Sequence, residues 1–216
     1  MTFSEAICGR KAALIDMDGV LYDSMPLHCR AWRRTMLEEG LDIPAEEFFQ
    51  YEGMTGAATI NLLMERERGL TLSPEECAAI YARKAAYFRE EGQPVPMPGA
   101  AEMLRQMRDE GLTTVLVTGS AQNSLLSRLE EDYPGVFPQE RRVTALDVTH
   151  GKPHPEPYLK GLEKAGVSAA EAVVLENAPL GVRAGKAAGI FTIAWMTGPI
   201  PSSAFISAGA DLLLPR

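Results

Sequence analysis

Residues 11–24 read KAALIDMDGVLYDS, and this stretch decides the fold. Its apolar run Ala12–Ile15 ends in Asp16, and Asp18 and Gly19 follow closely. A short apolar run that ends in carboxylates and a glycine predicts a buried strand that stops at a polar turn. Two acids at alternate positions past a strand end can converge at the edge of a parallel sheet where ligands bind. Because clustered acids repel one another, we expect a divalent cation or a shared proton between them.

Two further apolar runs end in polar residues, and all three sets are expected to meet. Thr114–Val117 is followed by Thr118-Gly119-Ser120, and Ala172–Leu175 is followed by Glu176-Asn177. The carboxyl ends of parallel strands share one edge of a sheet, so these side chains would surround one crevice. A hydroxyl, a glycine and free N–H groups ahead of a helix also form a seat for an anion. The simpler alternatives are an ordinary N-cap at Ser120 and solvated turn acids after the first strand.

Residues 151–157 read GKPHPEP and form a proline-clamped loop ahead of a predicted helix. A lysine fixed in such a loop can point a permanent charge inward and offset the repulsion among the acids. The alternative is a lone surface lysine, which the flanking prolines argue against. His154 stands between two prolines and is expected to pack or cap rather than to catalyse.

Composition bounds the class of protein. The chain has 216 residues, 46% of them hydrophobic. Its net charge is −8, and it has no dense basic run. This charge argues against nucleic acid or an anionic membrane surface as partner. A small anionic substrate is still compatible with this charge. The three scattered cysteines are expected to be reduced thiols of a cytoplasmic protein. No signal-peptide core is visible, and no apolar run approaches the ~20 residues that a membrane span needs.

Four helices are predicted in succession after the first polar turn, with no strand between them. They run from Pro26 to about Gly40, near Pro44, from Gly56 to Arg68 and from Ser73 onward. A strand–helix–strand unit needs only roughly 30 residues, so the excess must form a lobe inserted outside the sheet. The proline-rich return at 93–99 and the exit at 23–25 would be the two crossings of a lid that can close.

From Gly99 onward, helix and strand patterns alternate, which predicts a parallel, doubly wound α/β sheet. We therefore expect an α/β core of residues 1–23 and 97–216 and a helical cap of residues 24–96. The expected helices are Ala100–Glu110, Gln122–Asp132, Glu156–Ala165, Pro179–Ala188 and one near 203–207, and the expected strands are Thr114–Val117, one near Val143, Ala172–Leu175, Phe191–Ala194 and Asp211–Leu214.

The segment DMDGVLYDS, residues 16–24, resembles the opening signature of the haloacid dehalogenase superfamily, in the branch of β-phosphoglucomutase and sugar-phosphate phosphatases. The resemblance implies a Rossmann-like core with a four-helix cap. It also implies that Asp16 is the nucleophile and Asp18 the general acid/base. By the same resemblance, Thr118 holds the transferring phosphoryl group together with Gly119 and Ser120, and Lys152 balances its charge.

Residues 176–182, ENAPLGV, resemble the fourth motif of that family with one departure. Most relatives have Asp, a direct magnesium ligand, where this chain has Asn177. The resemblance implies a Mg²⁺ site formed by the Asp16 carboxylate, the Asp18 backbone carbonyl and Asn177, with Glu176 acting through water. An amide can still offer its carbonyl oxygen, but one negative charge is lost, so we expect weaker metal binding. The departure could also mark a degenerate enzyme.

The predicted cap bears on the substrate. His28 lies in a segment that resembles that of β-phosphoglucomutase, where the histidine is near the acid/base Asp. Residues 50–56, QYEGMTG, align with the substrate loop of the cap and make Gly53 and Thr55 candidate substrate contacts. The mutase has basic residues around this glycine, whereas this chain has Glu52 and Gly56. The cap's other basic residues stand at helical spacing and are expected on solvated faces: Arg66, Arg68, Arg83, Lys84 and Arg89.

These patterns together predict a Mg²⁺-dependent phosphatase that hydrolyses a small phosphorylated metabolite, a sugar phosphate, through an aspartyl-phosphate. A phosphomutase must grip a phosphate at both ends of its substrate, so the missing cap cations disfavour it. β-Phosphoglucomutase is nevertheless the alternative. A third hypothesis is a non-catalytic relative that binds phosphometabolites and is impaired at Asn177. The substrate and the oligomeric state stay open.

Overall fold

The computed structural model describes residues 1–120 and 123–216 and, for residues 123–125, the backbone alone. Within the described residues, six strands form one sheet in which all neighbours are parallel, in the order β3-β2-β1-β4-β5-β6. The strands are β1 (Ala12–Ile15), β2 (Thr113–Val117), β3 (Arg142–Val143), β4 (Ala172–Glu176), β5 (Phe191–Met196) and β6 (Leu212–Pro215). The strand order reverses between β1 and β4, and ligands of open α/β sheets bind at such a point.

Helices connect the strands throughout. The α-helices of the described residues are α1 (Phe3–Ile7), α2 (Met25–Glu38), α3 (Gly56–Arg68), α4 (Pro74–Glu90), α5 (Ala100–Asp109), α6 (Asn123–Asp132), α7 (Glu156–Ala165), α8 (Pro179–Ala187) and α9 (Ser202–Ala208). Short 3₁₀ helices span Ala45–Tyr51, Gln139–Arg141 and Ala169–Glu171. Local chemistry sets several ends: a capping box of Ser73 and Glu76 starts α4, and Gly166 ends α7 in the left-handed conformation. No helix of the described residues has the length and apolar character to cross a membrane.

The central strand β1 is completely buried and has apolar side chains on both faces of the sheet. Ala13 and Ile15 pack into one hydrophobic cluster, and Ala12 and Leu14 pack into the cluster on the opposite face. Successive residues of a strand point to opposite faces, so a strand with helices on both sides has no polar position. The prediction of a doubly wound parallel sheet is confirmed.

The helical lobe lies between β1 and α5, as predicted, and has a hydrophobic cluster of its own that runs from Met25 to Ile80. Its second helix is a 3₁₀ helix, and the other three are α-helices. The two crossings run side by side: the Met97 N–H donates to the Leu21 carbonyl at 2.8 Å, and the Asp23 N–H donates to the Val95 carbonyl at 2.9 Å. The division at residues 24 and 96 stays a prediction.

Element ends differ from the sequence expectation by one or two residues in most cases. β5 extends to Met196, β6 begins at Leu212, and β4 includes Glu176 as its last residue. The capping box of Thr2 and Glu5 forms the unpredicted helix α1. The predicted start of α6 at residue 122 lies outside the described residues.

Candidate active site

Three neighbouring strands bring polar side chains to one point at their carboxyl ends, and Lys152 joins them. The Lys152 ammonium donates to Asp16 Oδ1 at 2.5 Å, to Glu176 Oε1 at 2.6 Å and to the Val117 carbonyl at 3.0 Å. All three charged side chains are at most 4% exposed. The structure thus brings together the carboxyl ends of the first, second and fourth strands and the proline-clamped loop.

The Glu176 carboxylate is held on both oxygens. Oε1 accepts from Lys152 and from the Tyr158 hydroxyl at 2.7 Å, and Oε2 accepts the backbone N–H groups of Asn177 at 3.0 Å and Ala178 at 3.3 Å. Gly181 is required beneath it, because a Cβ there would lie 1.8 Å from Oε1. Glu176 therefore anchors Lys152. Tyr158 of α7, which the sequence analysis did not single out, takes part in this anchoring.

Burial dominates the electrostatics of this group. The pKa of Asp16 is raised well above its ordinary value, chiefly by burial and further by the negative Glu176 and Asp18, while Lys152 opposes the shift. Burial alone would lower the pKa of Lys152, but Asp16 and Glu176 raise it above its ordinary value. Lys152 therefore stays charged, and the acids around it outnumber it. Such a site attracts a further cation.

Asp18 faces the cap through a chain of hydrogen bonds. Its Oδ1 accepts from the Ser24 hydroxyl at 2.6 Å and lies 2.9 Å from His28 Nε2, whose ring is stacked on Phe88. His28 Nδ1 is in turn 2.5 Å from the Lys84 ammonium. Burial alone would raise the pKa of Asp18, but His28, Ser24 and Lys84 together lower it. Asp18 is therefore held as an oriented carboxylate.

Lys84 corrects an expectation. The sequence pattern predicted a solvated face, but the side chain is 2% exposed and packs near the rings of Trp32, Tyr81 and Phe88. Burial lowers the pKa of Lys84 to about 7, and burial together with Lys84 lowers that of His28. The signal was present, because Lys84 lies on the same side of α4 as the apolar residues Ile80 and Phe88.

The other basic residues named with Lys84 behave as surface groups, and Arg89 among them is exposed. Arg66 pairs with Glu47, and Arg83 pairs with Glu39. Arg68 donates to the backbone carbonyl of Glu39 at 2.5 Å. None of these contacts involves the site.

Glu52 crosses from the cap to the core. The Asn177 amide donates to Glu52 Oε1 at 2.7 Å, and both side chains are buried. Glu52 Oε2 and Asn177 Oδ1 lack a hydrogen-bond partner among the described residues. Buried polar oxygens are almost always paired, so two unpaired oxygens on one hydrogen-bonded pair of side chains indicate a missing ligand. Gly19 leaves the space that the Asn177 amide occupies, because a Cβ at Gly19 would lie 1.9 Å from Asn177 Nδ2.

The predicted anion seat lies directly against the cap. The Ser120 N–H donates to Thr118 Oγ1 at 3.0 Å, which fixes the turn after β2. A Cβ on Gly119 would lie 2.7 Å from the Gly53 carbonyl, and one on Gly53 would lie 2.9 Å from Lys152 Cδ. The predicted substrate loop and the predicted phosphate loop therefore touch through glycines, with no room for larger residues.

A small cavity separates the cap from the core. Its volume is about 60 Å³, and its lining includes most of the predicted site residues: Asp16, Asp18, His28, Gly53, Gly119 and Ser120. Thr55 is outside this lining, and its hydroxyl accepts the Ala58 N–H to cap α3. A substrate contact by Thr55 stays a prediction.

A model of the family described as haloacid dehalogenase-like hydrolase matches residues 10–189. The chain belongs to the haloacid dehalogenase-like hydrolases. This hydrolase is 32% identical to hexitol phosphatase A of Escherichia coli over 185 residues, which cover 85% of the chain and 82% of the relative. It is 30% identical to the phosphorylated carbohydrates phosphatase of Thermotoga maritima over 206 residues, 94% of each protein.

A solved structure agrees with the family. A protein from Bacteroides vulgatus described as "putative beta-phosphoglucomutase" is 48% identical to this hydrolase and superposes with a TM-score of 0.92. The match covers 98% of this chain and 90% of that one. The family resemblance and the fold class expected from the sequence are thus confirmed, and the protein is an enzyme of this family.

Proposed function

We propose that this hydrolase is a Mg²⁺-dependent phosphatase that acts on a small phosphorylated metabolite through an aspartyl-phosphate. The observation that carries the proposal is the bridge by which buried Lys152 joins Asp16 to Glu176. A nucleophilic carboxylate beside a fixed cation, at the carboxyl ends of parallel strands, is suited to phosphoryl transfer, where charge must be balanced on equatorial oxygens.

In this mechanism a carboxylate oxygen of Asp16 attacks phosphorus in line, and the bond to the leaving oxygen breaks. A phosphate anion bound beside Asp18 favours its protonated form, so Asp18 enters the first step carrying a proton and donates it to that oxygen. The Asp18 carboxylate then takes a proton from the water that attacks the aspartyl-phosphate, which returns Asp18 to its protonated form. The second displacement releases phosphate and restores the Asp16 carboxylate. Lys152 and Thr118 orient the phosphoryl oxygens, while Ser24 and His28 hold Asp18 in place.

The residues present fit a magnesium ion. Asp16, the Asp18 backbone carbonyl and Asn177 offer oxygen ligands, which Mg²⁺ prefers. The unpaired Asn177 Oδ1 supports the assignment, and Glu52, which accepts from the Asn177 amide, adds an unpaired carboxylate oxygen from the cap. Glu176, whose oxygens are engaged by other donors, would act through water. When bound, the ion supplies positive charge that stabilises the transferring phosphoryl group.

The cavity limits the substrate. The cavity leaves about 60 Å³ for the centres of water-sized molecules, which is room for only a few waters, since each needs roughly 10–15 Å³ on this measure. A sugar phosphate would enter only if the cap (24–96) separates from the core (1–23 and 97–216), which the paired crossings permit. Relatives named hexitol phosphatase and phosphorylated carbohydrates phosphatase support polyol and sugar phosphates as the substrate class.

A phosphomutase is the second candidate, favoured by the 48% identity to the Bacteroides vulgatus protein. Against it, buried Glu52 brings a carboxylate to the site from the loop in which the mutase has cations. The products decide between them. Incubation with β-glucose 1-phosphate and Mg²⁺ is expected to release inorganic phosphate, whereas glucose 6-phosphate without free phosphate would overturn the choice.

The third hypothesis, a non-catalytic binder, is tested by turnover itself. A panel of phosphate esters graded in size, from glycerol phosphate to hexitol and hexose phosphates, is expected to include a substrate. Asp16→Asn should abolish its turnover because the nucleophile is lost. A protein that hydrolyses no member of the panel, yet binds one, would replace the phosphatase with the binder.

A further inference from the structure

A second group of chemically active side chains lies on the loop that carries Lys152 into the site. His150, His154 and Glu156 each offer one possible ligand atom, and these atoms all lie within 4.8 Å of one another. The two imidazole rings are 4.7 Å apart between centroids. Two of the three histidines in the chain are therefore gathered on one short loop. None of the three residues lines the active-site cavity.

Hydrogen bonds already order the backbone of this loop and the Glu156 carboxylate. The Glu156 carboxylate accepts the backbone N–H groups of Thr149 at 2.9 Å and His150 at 2.8 Å, so it spans the loop. The Glu156 N–H donates to His154 Nδ1 at 3.1 Å, and His150 Nδ1 lies 3.2 Å from Glu156 Oε2. Pro153 and Pro155 restrict the backbone between the ligands. The loop backbone and the Glu156 carboxylate are therefore ordered before any ion arrives.

We propose that His150, His154 and Glu156 form a binding site for a divalent transition-metal ion such as Zn²⁺. Two imidazole nitrogens and one carboxylate oxygen are a ligand set that zinc accepts, with water completing the shell. Bonds of about 2.0–2.2 Å require ligand atoms roughly 3–3.5 Å apart. Both histidines are exposed, so their rings can rotate to close the remaining distance.

This site differs in kind from the active site. The active site offers mainly oxygen atoms around a buried lysine and suits the hard ion Mg²⁺. The loop site offers nitrogen, is open to solvent and suits a softer ion. Its ligands lie on both sides of Lys152 in the sequence, so a bound ion ties the loop together. Because the ion binds the folded loop, it should raise the melting temperature.

The test is zinc titration of the full chain with Cys8 replaced. Cys8 is an exposed thiol that could bind zinc on its own, so Cys8→Ser is the background for every sample. The protein is stripped with EDTA and titrated calorimetrically with Zn²⁺ in excess Mg²⁺, which occupies the acids of the active site. We expect one equivalent of zinc to bind and the melting temperature to rise.

The double variant His150→Ala/His154→Ala removes two ligands without touching the catalytic groups. It is expected to lose this equivalent, and each single variant should weaken zinc binding by at least tenfold. Without zinc, the double variant should keep its Mg²⁺-dependent activity, and its melting temperature should fall only slightly, because His154 Nδ1 no longer accepts the Glu156 N–H. In the parent protein, zinc should shift the imidazole ¹⁵N resonances of both histidines.

Two results would overturn the proposal. One is the absence of zinc binding to the Cys8→Ser protein at micromolar concentrations. The other is unchanged zinc stoichiometry and affinity in a folded double variant, which would place the ion elsewhere, such as at the carboxylates of the active site. Neither result bears on the phosphatase proposal, because that activity is measured with Mg²⁺ alone.

Discussion

At the scale of single residues, Lys152 balances a concentration of negative charge. Replacing it in Lys152→Met would leave Asp16 and Glu176 buried without their shared cation. Breaking a buried ion pair from one side costs about 3–5 kcal/mol. We expect the free energy of unfolding of the metal-free protein to fall by about that amount, measured by urea denaturation with EDTA.

Lys160→Met is the matched control, because Lys160 is half-buried on α7 and lies 3.5 Å from Glu156. Surface pairs contribute about 0–1 kcal/mol, so this variant should unfold like the parent. Mg²⁺ should restore part of the stability lost in Lys152→Met. A loss no larger than that of the control would show that Asp16 and Glu176 do not depend on Lys152.

A substitution at Asn177 tests the proposed metal ligands. Asn177→Asp adds a carboxylate where the orphaned amide oxygen lies, and we expect Mg²⁺ to bind on the order of tenfold more tightly. Without metal, the new charge would face Glu52 in place of the present 2.7 Å hydrogen bond and should destabilise the protein. Calorimetric Mg²⁺ titration and urea denaturation measure the two effects.

Adding Glu52→Gln to Asn177→Asp should remove the repulsion and recover the metal-free stability. A double-mutant cycle then isolates the coupling between the two side chains. Unchanged Mg²⁺ affinity in Asn177→Asp would exclude this position as a ligand. Absence of coupling in the cycle would mean that the cap loop does not contact the core in solution.

At the scale of the elements, helix α4 places the buried side chain of Lys84 against His28 of α2. Folding lowers the pKa of Lys84 from 10.5 to about 7, chiefly by burial, with Asp18 and Cys29 opposing. Between these values the unfolded chain binds more protons than the folded chain, so stability contributed at this site rises with pH. Below about pH 7 the cost of burying the charge is fully present.

Lys84→Met should therefore flatten the pH dependence. We expect the difference in unfolding free energy between the parent and the variant to change by up to about 1.4 kcal/mol per pH unit from pH 7 to 10. Urea denaturation at several pH values measures it, with Lys160→Met as the control. Parallel curves for the parent and Lys84→Met would contradict a buried, uncharged Lys84 at high pH.

The contact between the loop after β2 and the loop before α3 is also an element-scale feature. Gly119→Ala is allowed by its backbone angles, but the added Cβ would lie 2.7 Å from the Gly53 carbonyl. The closed arrangement should be displaced, and a displacement near 1 Å can cost about 10²-fold in catalysis. We expect kcat/KM to fall by about that factor, with the unfolding free energy nearly unchanged.

Gly198→Ala controls for the glycine change itself, since its Cβ would lie at an ordinary 3.6 Å from Phe49. This variant should keep both activity and stability. Full activity in Gly119→Ala would show that turnover does not require the two loops to meet.

At the scale of the whole molecule, one lobe and one sheet share a site that is short of positive charge. Carboxylates of both lobes, Glu52 from the cap and Asp16, Asp18 and Glu176 from the core, face it. A cation that binds there stabilises the folded protein by about 2.7 kcal/mol at one hundred times its dissociation constant. For a chain of this size that corresponds to a rise in Tm of about 5–10 °C.

Differential scanning calorimetry with EDTA and with saturating Mg²⁺ measures this rise. Asp16→Asn should reduce it, because one ligand charge is lost. The acids are brought together only by folding, so the unfolded chain offers no competing site. Equal melting temperatures with and without Mg²⁺ would contradict a magnesium site at this interface.

The sequence by itself determined the architecture and the centre of the site. Apolar runs such as Ala12–Ile15 form strands, their period separates them from the helices, and parallel strands must end at one edge. Asp16, Glu176 and Lys152 could thus be placed together without coordinates. Short-range signals also determine where the helical lobe begins its last helix and where it returns to the sheet, because the capping box at Ser73 and the proline-rich return act within a few residues.

Only the tertiary structure decided which cap side chains reach the site. The hydrogen bond between Asn177 and Glu52 joins residues 125 positions apart, and the contact of Lys84 with His28 joins residues 56 apart. A charged residue at helical spacing looks the same in sequence whether its face meets water or a neighbouring helix. The packing of α4 on α2 and of the cap on the core settles that difference, because burial is a property of surfaces that meet only in the folded chain.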